Sequence, residues 1–223
     1  MQVIKDYGNK HVKLWKNKEF VTSFFVYLIL LAISIAMTYF ASDYADTYSG
    51  NVVPDLILDH ISTFNVGFMF FQGSFFFLGS LLCVGIFLPE AAPFTLASSA
   101  LFFGIRAIFM TMTHLSAPNI EYYSYIMYHH EIPSVLFSMN SGNDLFFSGH
   151  AGYPFMLALV FWKYKTLRYY LILCSAISSV VVLMGHLHYS IDVFSAFFIA
   201  YGIFEISKRL FKNSYKHFSE IKF

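Results

Sequence analysis

The sequence predicts an all-α membrane protein, on the basis of composition, the length of its apolar runs and the placement of charge. The chain has 223 residues, of which 57% are apolar and 12% are charged. Its apolar residues stand in long uninterrupted runs, which is not the pattern of a soluble domain of this size. A helix needs about 20 apolar residues to cross a bilayer core about 30 Å thick. We therefore expect a polytopic helical bundle with six transmembrane helices.

Six apolar runs account for these helices. The predicted spans are residues 20–41, 64–88, 93–113, 149–163, 169–187 and 190–207. The fourth and sixth are short and begin with polar residues, so their boundaries are approximate. The first run is longer than the apolar region of a signal peptide and is predicted to be a retained helix. We expect basic tails over residues 1–19 and 208–223, and one membrane domain over residues 20–207.

Basic residues mark one side of this predicted bundle. They lie in the N-terminal tail, between the fourth and fifth spans, and in the C-terminal tail: Lys5, Lys10, Lys13, Lys16, Lys18, Lys163, Lys165, Arg168, Lys208, Arg209, Lys212, Lys216 and Lys222. The opposite loops, 42–63 and 114–148, contain acidic residues and no Lys or Arg. The positive-inside rule then predicts cytoplasmic termini and outer loops that face the periplasm, the exterior or a lumen. The small size favours a bacterial inner membrane.

One basic residue, Arg106, lies inside a predicted span, in "ALFFGIRAIFMTMTHL". An Arg at membrane depth costs about 2.5 to 3.5 kcal/mol on insertion scales, so it faces the protein interior or a polar cavity. Two interpretations are open: a structural ion pair with a buried acid, or an anion-binding residue below the outer mouth. Cys83 and Cys174 also lie in predicted spans and indicate neither a disulfide framework nor a metal site.

The stretch "FFSGHAGYPF" places polar residues at the outer start of the fourth span. Ser148 is a candidate N-cap, and the first amides of the helix, from Gly149 onward, have no intrahelical acceptors. Such a helix start can hold a phosphate while His150 gives or takes a proton. Taken alone, a capped helix start with a structurally satisfied His is the simpler explanation.

A second stretch, "HLHYSIDV", opens the sixth span. His188 and Asp192 are four residues apart and share one helical face if that helix begins by Tyr189. The carboxylate could hold one imidazole nitrogen and leave the other basic toward a substrate. A polar pair that only satisfies itself is the alternative. It is less favoured because both stretches are predicted on the same side of the membrane.

With these residues identified, the chain resembles the sphingomyelin synthase family, a branch of the type-2 phosphatidic acid phosphatase superfamily. The family pattern CGDxxxSGHT is matched by GNDLFFSGHA, and HYTxDV is matched by HYSIDV at His188–Val193. Upstream, "VVPDLILDH" resembles the family's Pro-Asp element, and Arg106 with "TMTHLSAP" resembles its segment around an Arg and a following TxLPxP. The resemblance covers residues 50 to 207.

The chain departs from the family pattern at several positions. Gly142 and Asn143 replace Cys and Gly, Ala151 replaces Thr, Ser207 and Lys208 replace a terminal Tyr and His, and no paired Arg stands near Thr95. These departures bear on the substrate pair more than on the chemistry, because both His residues and the Asp are present.

The resemblance implies a phosphotransferase that moves a phosphobase from a glycerophospholipid to ceramide or a similar lipid alcohol. In that mechanism His188 is the nucleophile, Asp192 orients it, and His150 is the general acid and then the base. The substrate-binding residues would be Arg106, Asp144, Ser148, Gly149 and Tyr189. No metal or other cofactor is expected, since His129, His130 and Glu131 form no convincing ligand set.

The partners expected are membrane lipids, with no nucleic acid, and oligomerisation is left open. The outer loop "NIEYYSYIMYHHEIP" is rich in Tyr and could bind choline or ethanolamine, although an interfacial aromatic belt is the simpler explanation. A lipid phosphate phosphatase with the same triad is the main alternative. The phosphatase branch has a Ser-Arg pair before its second His, where this chain reads "VVVLMG". A non-catalytic lipid-binding or scrambling protein is a third, less favoured alternative.

Overall fold

The computed structural model describes residues 8, 11–129 and 142–220, and the regular elements within these ranges are helices. Residues 11–16 are helical. The α-helices described after them are α1 (Lys18–Thr47), α2 (Gly67–Phe87), α3 (Ala92–Met112), α4 (Ile120–His129), α5 (Gly149–Val160), α6 (Lys165–Met184), α7 (Ser190–Leu210) and α8 (Lys212–Ser219). Short 3₁₀ turns lie at Leu58–His60 and Pro89–Ala91. His130 and Glu131, which the sequence analysis weighed as metal ligands, lie outside the described residues.

Five helices of the described chain are long and apolar enough to cross a membrane: Lys18–Thr47, Gly67–Phe87, Pro89–Met112, Lys165–Met184 and Ser190–Leu210. These five agree with predicted spans one, two, three, five and six. Most side chains of α1 and α2 are exposed on the surface of the bundle. Exposed apolar side chains on such helices are what a protein surrounded by lipid requires.

The fourth predicted span is shorter than expected. α5 has 12 residues, so a rise of about 1.5 Å per residue makes it about 18 Å long. The prediction of 149–163 counted the apolar residues Phe161 and Trp162, but these lie in the turn that leads into α6. α5 is instead the buried centre of the bundle, packed against α3, α6 and α7. Six full-length spans are therefore not observed among the described residues.

Small residues allow α5 to lie close to α7. A Cβ atom added at Gly152 would lie 3.2 Å from the Cβ of Ala196 on α7. Around this contact the core contains fully buried Phe102, Phe147 and Leu157. Burial of side chains of this size stabilises a fold by about 1.5–3 kcal/mol each in water. Within a bilayer, close packing of this kind supplies much of the attraction between helices.

The loop predicted over 114–148 contains a helix, α4, in its first part. Asn119 begins it, because its side-chain oxygen accepts the N–H of Tyr122 at 3.0 Å. The Tyr122 hydroxyl in turn accepts the N–H of Val66 at 2.7 Å, at the start of α2. Tyr123 is buried. The Tyr-rich stretch therefore includes at least two side chains that hold the fold together.

The C-terminal tail is also partly structured. α7 continues to Leu210, and α8 follows directly and packs against α3 and α7. Phe218 of α8 is buried, with its ring stacked 6.5 Å from that of Phe94 and at an edge 6.0 Å from that of Phe161. Residues 212–219 therefore belong to the bundle rather than to a separate tail.

The helix order gives the bundle two ends. The end at which α1 and α3 stop and α2, α5 and α7 begin is called the histidine end, because it carries His150 and His188. The opposite end, where α1 begins and α7 stops, is called the terminal end. Basic side chains of the described residues cluster at the terminal end, whereas Asp43, Asp46 and Asp55 lie at the histidine end. This separation of charge was expected from the sequence.

Candidate active site

The pair expected from "HLHYSIDV" is present at the start of α7. His188 Nδ1 lies 3.5 Å from Asp192 Oδ2, and both side chains are buried. The same Oδ2 accepts the N–H of Tyr189 at 2.9 Å, so Asp192 also caps its own helix. The other oxygen, Oδ1, is buried with no hydrogen-bond partner among the described residues.

This arrangement leaves the pair incompletely satisfied. A distance of 3.5 Å exceeds that of a strong charge-assisted hydrogen bond, which is about 2.7–2.9 Å. Buried polar atoms without partners are uncommon and call for an explanation, and catalytic hydrogen bonds are often long before substrate binds. Because Nδ1 faces the carboxylate, Nε2 is the nitrogen of His188 that remains for a substrate. A carboxylate placed in this way can orient an imidazole for nucleophilic attack.

A backbone hydrogen bond joins the two motifs. The N–H of Ser148 donates to the carbonyl of Asp192 at 3.0 Å, which fixes the start of α5 against the first turn of α7. The predicted N-cap is confirmed: Ser148 Oγ accepts the N–H of Ala151 at 3.5 Å. The Ser148 residue is fully buried. The two motifs therefore meet in one site, which the sequence alone could not show.

His150 stands in the first turn of α5 and faces His188. Their ring centroids lie 6.4 Å apart, so one group held between them would be within reach of both imidazoles. On its other side the ring packs against Phe70 of α2, with the centroids 4.5 Å apart and the planes at 36°. Phe70 positions His150, and no feature of the sequence pointed to this residue.

Arg106 is used to hold the loop before α5. Its Nε donates to the carbonyl of Phe147 at 3.0 Å, and one terminal nitrogen donates to the carbonyl of Asp144 at 2.7 Å and to its Oδ2 at 3.2 Å. The other terminal nitrogen contacts the sulfur of Met110 at 3.0 Å, a weak acceptor. The structural ion pair considered at the sequence level is therefore present, and one nitrogen keeps donor capacity for an anion.

The absence of a side chain at Gly149 makes room for this Arg. A Cβ atom added at Gly149 would lie 3.2 Å from Nε of Arg106, closer than most real Cβ contacts. The guanidinium therefore lies against the first turn of α5, where backbone N–H groups lack intrahelical acceptors. Gly149 and Arg106 together place positive charge and free amides beside the two histidines.

Asp144 neutralises part of this positive charge. Burial raises the pKa of its carboxyl above the ordinary value, and the neighbouring Arg106 opposes the rise. The same carboxyl also lies within electrostatic range of His188. Asp144 is therefore close to both the Arg106 guanidinium and His188.

Two departures from the family pattern have local packing reasons. A Cβ atom at Gly142 would lie 2.8 Å from Cδ1 of Ile120, so the Cys of the family pattern would require that side chain of α4 to shift. The Asn143 amide donates to Asp46 Oδ1 at 2.8 Å, and its oxygen accepts the N–H of Ala117 at 2.8 Å. These residues tie the loop before α5 to α1 and to the segment after α3.

Tyr189 lies at the site but has other partners. Its hydroxyl donates to the carbonyl of Ser116 at 2.9 Å and accepts the N–H of Val53 at 3.1 Å. The residue is 2% exposed. Its hydroxyl therefore links two outer segments to the start of α7, which is a structural role beside the binding role expected from the sequence.

Asp55 is a site-supporting residue that sequence reasoning did not single out, although the Pro-Asp element contains it. One carboxylate oxygen accepts the N–H groups of Ile57 and Leu58 at 2.9 and 3.0 Å. The other accepts the N–H and the hydroxyl of Ser190 at 2.7 and 2.8 Å. Asp55 thus anchors the first outer segment on the first turn of α7, two residues from His188.

Replacing Asp55 by Ala should destabilise the fold by about 2–3 kcal/mol, since the buried donors of Ser190 and Leu58 lose a charged acceptor. Burial would raise the pKa of the Asp55 carboxyl, but these hydrogen bonds outweigh burial and hold the pKa below its ordinary value of 3.8. A lowered folded-state pKa adds stability above the ordinary pKa, and this stability is lost as the pH falls through the folded pKa.

Thermal unfolding in detergent between pH 3 and pH 7 measures both effects. Wild type should lose stability at the acid end, and Asp55→Asn should lose less. Asp43→Ala, which removes an exposed carboxylate at the same end, is the matched control and should resemble wild type. Equal melting temperatures for Asp55→Ala and wild type would show that this anchor is unimportant.

A cavity of about 210 Å³ adjoins His150 between α2 and α6 and is called the His150 cavity. Its walls are mainly apolar, including Phe70, Phe77 and Val181. Two hydroxyls of the lining already donate hydrogen bonds within the protein: Ser74 to the Phe70 carbonyl and Tyr170 to Ser80 Oγ. The cavity therefore has a polar end at His150 and offers apolar surface elsewhere.

The sequence analysis expects no metal site, because the neighbouring His129, His130 and Glu131 form no convincing ligand set. Over residues 11–129 and 142–220, no three His, Cys, Asp or Glu side chains lie together as a metal site would require. The site residues assembled here are two imidazoles, two carboxylates, a guanidinium and helix-start amides.

Part of the chain matches a known protein family. No curated protein and no solved structure matches the chain. Residues 141–209 match the family model described as PAP2 superfamily C-terminal. The matched segment contains His150, His188 and Asp192, the three residues that the fold brings together. This match supports the placement of the chain in the type-2 phosphatidic acid phosphatase superfamily.

Proposed function

We propose that this protein is a membrane lipid phosphotransferase that moves a phosphobase head group from a glycerophospholipid to ceramide or a similar lipid alcohol. Superfamily similarity fits phosphatase or phosphotransferase activity on lipids. The observation that carries the proposal is the buried His188–Asp192 pair facing His150 at the polar end of an apolar cavity. A lipid phosphodiester has this same division between a polar and an apolar part.

In the first half-reaction, Nε2 of His188 attacks the phosphorus of the donor. The N–P bond forms as the P–O bond to diacylglycerol breaks, and His150 gives its proton to the departing oxygen. Asp192 holds Nδ1 of the nucleophile and stabilises the positive charge on the ring. The nearby Arg106 and the first amides of α5 offset negative charge on the phosphoryl oxygens.

In the second half-reaction, the hydroxyl of the acceptor lipid takes the phosphobase from His188. His150, now neutral, removes the hydroxyl proton as the new P–O bond forms and the N–P bond breaks. The cycle returns both imidazoles to their starting protonation states. Protons and the phosphoryl group balance with only donor and acceptor consumed.

The burial of the nucleophile favours transfer over hydrolysis. His188 is 4% exposed. Val181 and Val182, in the stretch where the phosphatase branch has its Ser-Arg pair, are buried apolar residues. A phospho-His188 formed there has limited access to water, whereas a lipid alcohol can approach along the apolar His150 cavity. A lipid phosphate phosphatase with the same residues is the second candidate, since it differs only in the use of water as acceptor.

The orientation proposed places the terminal end in the cytoplasm and the site on the outer side. The basic side chains of the terminal end support this, since cytoplasmic segments of membrane proteins carry an excess of Lys and Arg. Acidic residues at the histidine end would attract a choline or ethanolamine group. This attraction favours a zwitterionic donor over a phosphate monoester, which acidic residues repel.

The substrate test uses vesicles with phosphatidylcholine and phosphatidylethanolamine, and fluorescent ceramide and diacylglycerol as competing acceptors. Wild type should form a labelled phosphosphingolipid, whose head group identifies the donor. A parallel tube contains phosphatidic acid. Phosphate release there, with no lipid product from the acceptors, would move the protein to the phosphatase candidate and overturn the transferase proposal.

The pH dependence of the transfer rate should be bell-shaped. One imidazole must begin neutral, to attack, and the other must begin protonated, to release the alcohol, so activity falls at both extremes. Initial rates in vesicles between pH 5 and pH 9 measure the profile. A constant rate across that range would be incompatible with a two-imidazole mechanism.

A further inference from the structure

A second, larger apolar cleft lies at the terminal end, away from His150 and His188. It has a volume of about 590 Å³, within the range of about 300–1,000 Å³ typical of ligand sites. The cleft lies between α1, α2 and α3, with Tyr153 of α5 also in its lining. It is called the terminal cleft and is lined chiefly by Phe24, Leu31, Leu81, Gly85, Ala92 and Thr95.

The terminal cleft is separate from the His150 cavity. Tyr153 forms its inner limit, and Phe77 lines the His150 cavity. The two rings touch edge to face with centroids 6.2 Å apart, so they form the wall between the two spaces. The Tyr153 hydroxyl is also paired with Ser99 Oγ at 2.9 Å. A ligand of the terminal cleft therefore does not reach the catalytic imidazoles.

We propose that the terminal cleft binds an anionic glycerophospholipid of the bilayer leaflet at the terminal end, with an acyl chain in the cleft. The depth fits this occupant. On the α2 side its lining begins at Leu78 and ends at Leu88, which corresponds to about 15 Å of helix. This is about half of the 30 Å hydrocarbon core, the depth of one leaflet.

The polar groups also fit a glycerophospholipid. Thr95 Oγ1 is buried in the lining with no hydrogen-bond partner among the described residues. It lies in the first turn of α3, near the level at which the ester carbonyls of a lipid from this leaflet begin. The Thr95 hydroxyl can donate a hydrogen bond to an ester carbonyl there. A purely hydrocarbon ligand has no acceptor for it.

Basic side chains on the segment that carries His11 and Trp15 favour an anionic head group. His11 and Trp15 line the mouth, and His11 Nε2 donates to the carbonyl of Ile86 at 3.1 Å, which holds this segment against α2. Lys13 and Lys16 lie on the same segment and are exposed. Basic side chains at a membrane surface attract anionic lipids, and an interfacial Trp anchors the segment at the head-group level.

Two glycines of α2 provide a matched pair of variants. A Cβ atom at Gly85 or at Gly79 meets nothing within 4 Å, so both positions accept a larger side chain. Gly85 lines the cleft and Gly79 does not. Gly85→Leu therefore fills the cleft, while Gly79→Leu makes the same change on the same helix outside it. Thr95→Val is a further variant that removes the hydroxyl with little change in shape.

The experiment reconstitutes the protein in vesicles of equal parts phosphatidylglycerol and phosphatidylcholine, extracts it in mild detergent, and counts retained lipid by native mass spectrometry. Wild type and Gly79→Leu should retain about one phosphatidylglycerol per chain. Gly85→Leu should retain at least fivefold less and Thr95→Val severalfold less. The double variant Lys13→Gln, Lys16→Gln should retain lipid but lose the preference for phosphatidylglycerol.

Equal retention by Gly85→Leu and Gly79→Leu would overturn the proposal, as would equal retention of both lipids by wild type. A lipid-free dimer would assign the cleft to a second copy of the chain and would overturn it too. Because the cleft is separate from the catalytic site, His188→Gln should retain lipid like wild type. Loss of the transferase proposal would therefore leave this one intact.

Discussion

Replacing His188 by Gln should reduce head-group transfer by about 10⁴-fold or more, since removal of a covalent nucleophile leaves only binding and electrostatic stabilisation. Gln has no nitrogen able to form a phosphoramidate, although its size resembles that of His. The rate in phosphatidylcholine vesicles with labelled ceramide measures the effect. Donor binding should change much less than turnover, because the apolar His150 cavity and Arg106 remain.

His60→Gln is the matched control for this variant. It makes the same substitution at the histidine end, on an exposed side chain of the 3₁₀ turn. The control should keep the wild-type rate, and both variants should keep the helical signal and melting temperature of wild type. A His188→Gln protein that folds and transfers at the normal rate would eliminate the phospho-His188 mechanism.

Replacing Asp192 by Asn should lower turnover by about 10³- to 10⁴-fold while leaving the amount of folded protein similar. An Asn oxygen can still accept the Tyr189 N–H that Asp192 Oδ2 accepts, so the helix start is retained. The amide has no negative charge to stabilise His188 as it becomes cationic. Its NH₂ group can also hold the imidazole in the wrong tautomer.

The turnover number at saturating donor and the melting temperature separate these effects. A large loss of turnover with a small change in melting temperature is expected for an orienting residue. A large loss of stability alone would make Asp192 a structural cap. A normal turnover number would mean that the 3.5 Å contact with His188 has no catalytic role.

Much of the fold was predictable because membrane crossing imposes a simple requirement on sequence. Five predicted spans correspond to helices, since each needs a long run of apolar side chains. The predicted fourth span was longer than α5. It included apolar Phe161 and Trp162, which follow α5 in a turn. Apolar composition reports burial in lipid and burial in protein equally, so it could not separate the two cases.

The candidate site was predictable in part. The spacing of His188 and Asp192 predicted their contact, and Ser148 was identified as an N-cap from its position. The contacts that hold the site together are long-range and have no local signature. Examples are the hydrogen bonds of Asp55 to Ser190 and the packing of Phe70 on His150.

Arg106 shows what sequence could and could not decide. Its position within an apolar run required an inward-facing side chain with a partner. Both a buried acid and a bound anion satisfied that requirement. The structure shows the acid, Asp144, together with two backbone carbonyls that a sequence motif cannot identify. Whether a substrate phosphate also uses the guanidinium is part of the proposed mechanism.

The central claim is that His188 carries the phosphobase between two lipids. The most direct test incubates the purified protein with phosphatidylcholine labelled in the head group, with no acceptor, and locates any adduct by peptide mass spectrometry. The account predicts phosphocholine on His188 in wild type and in no His188→Gln sample, and its transfer to ceramide when ceramide is added. Turnover without an adduct on His188, or an adduct on another residue, would contradict it.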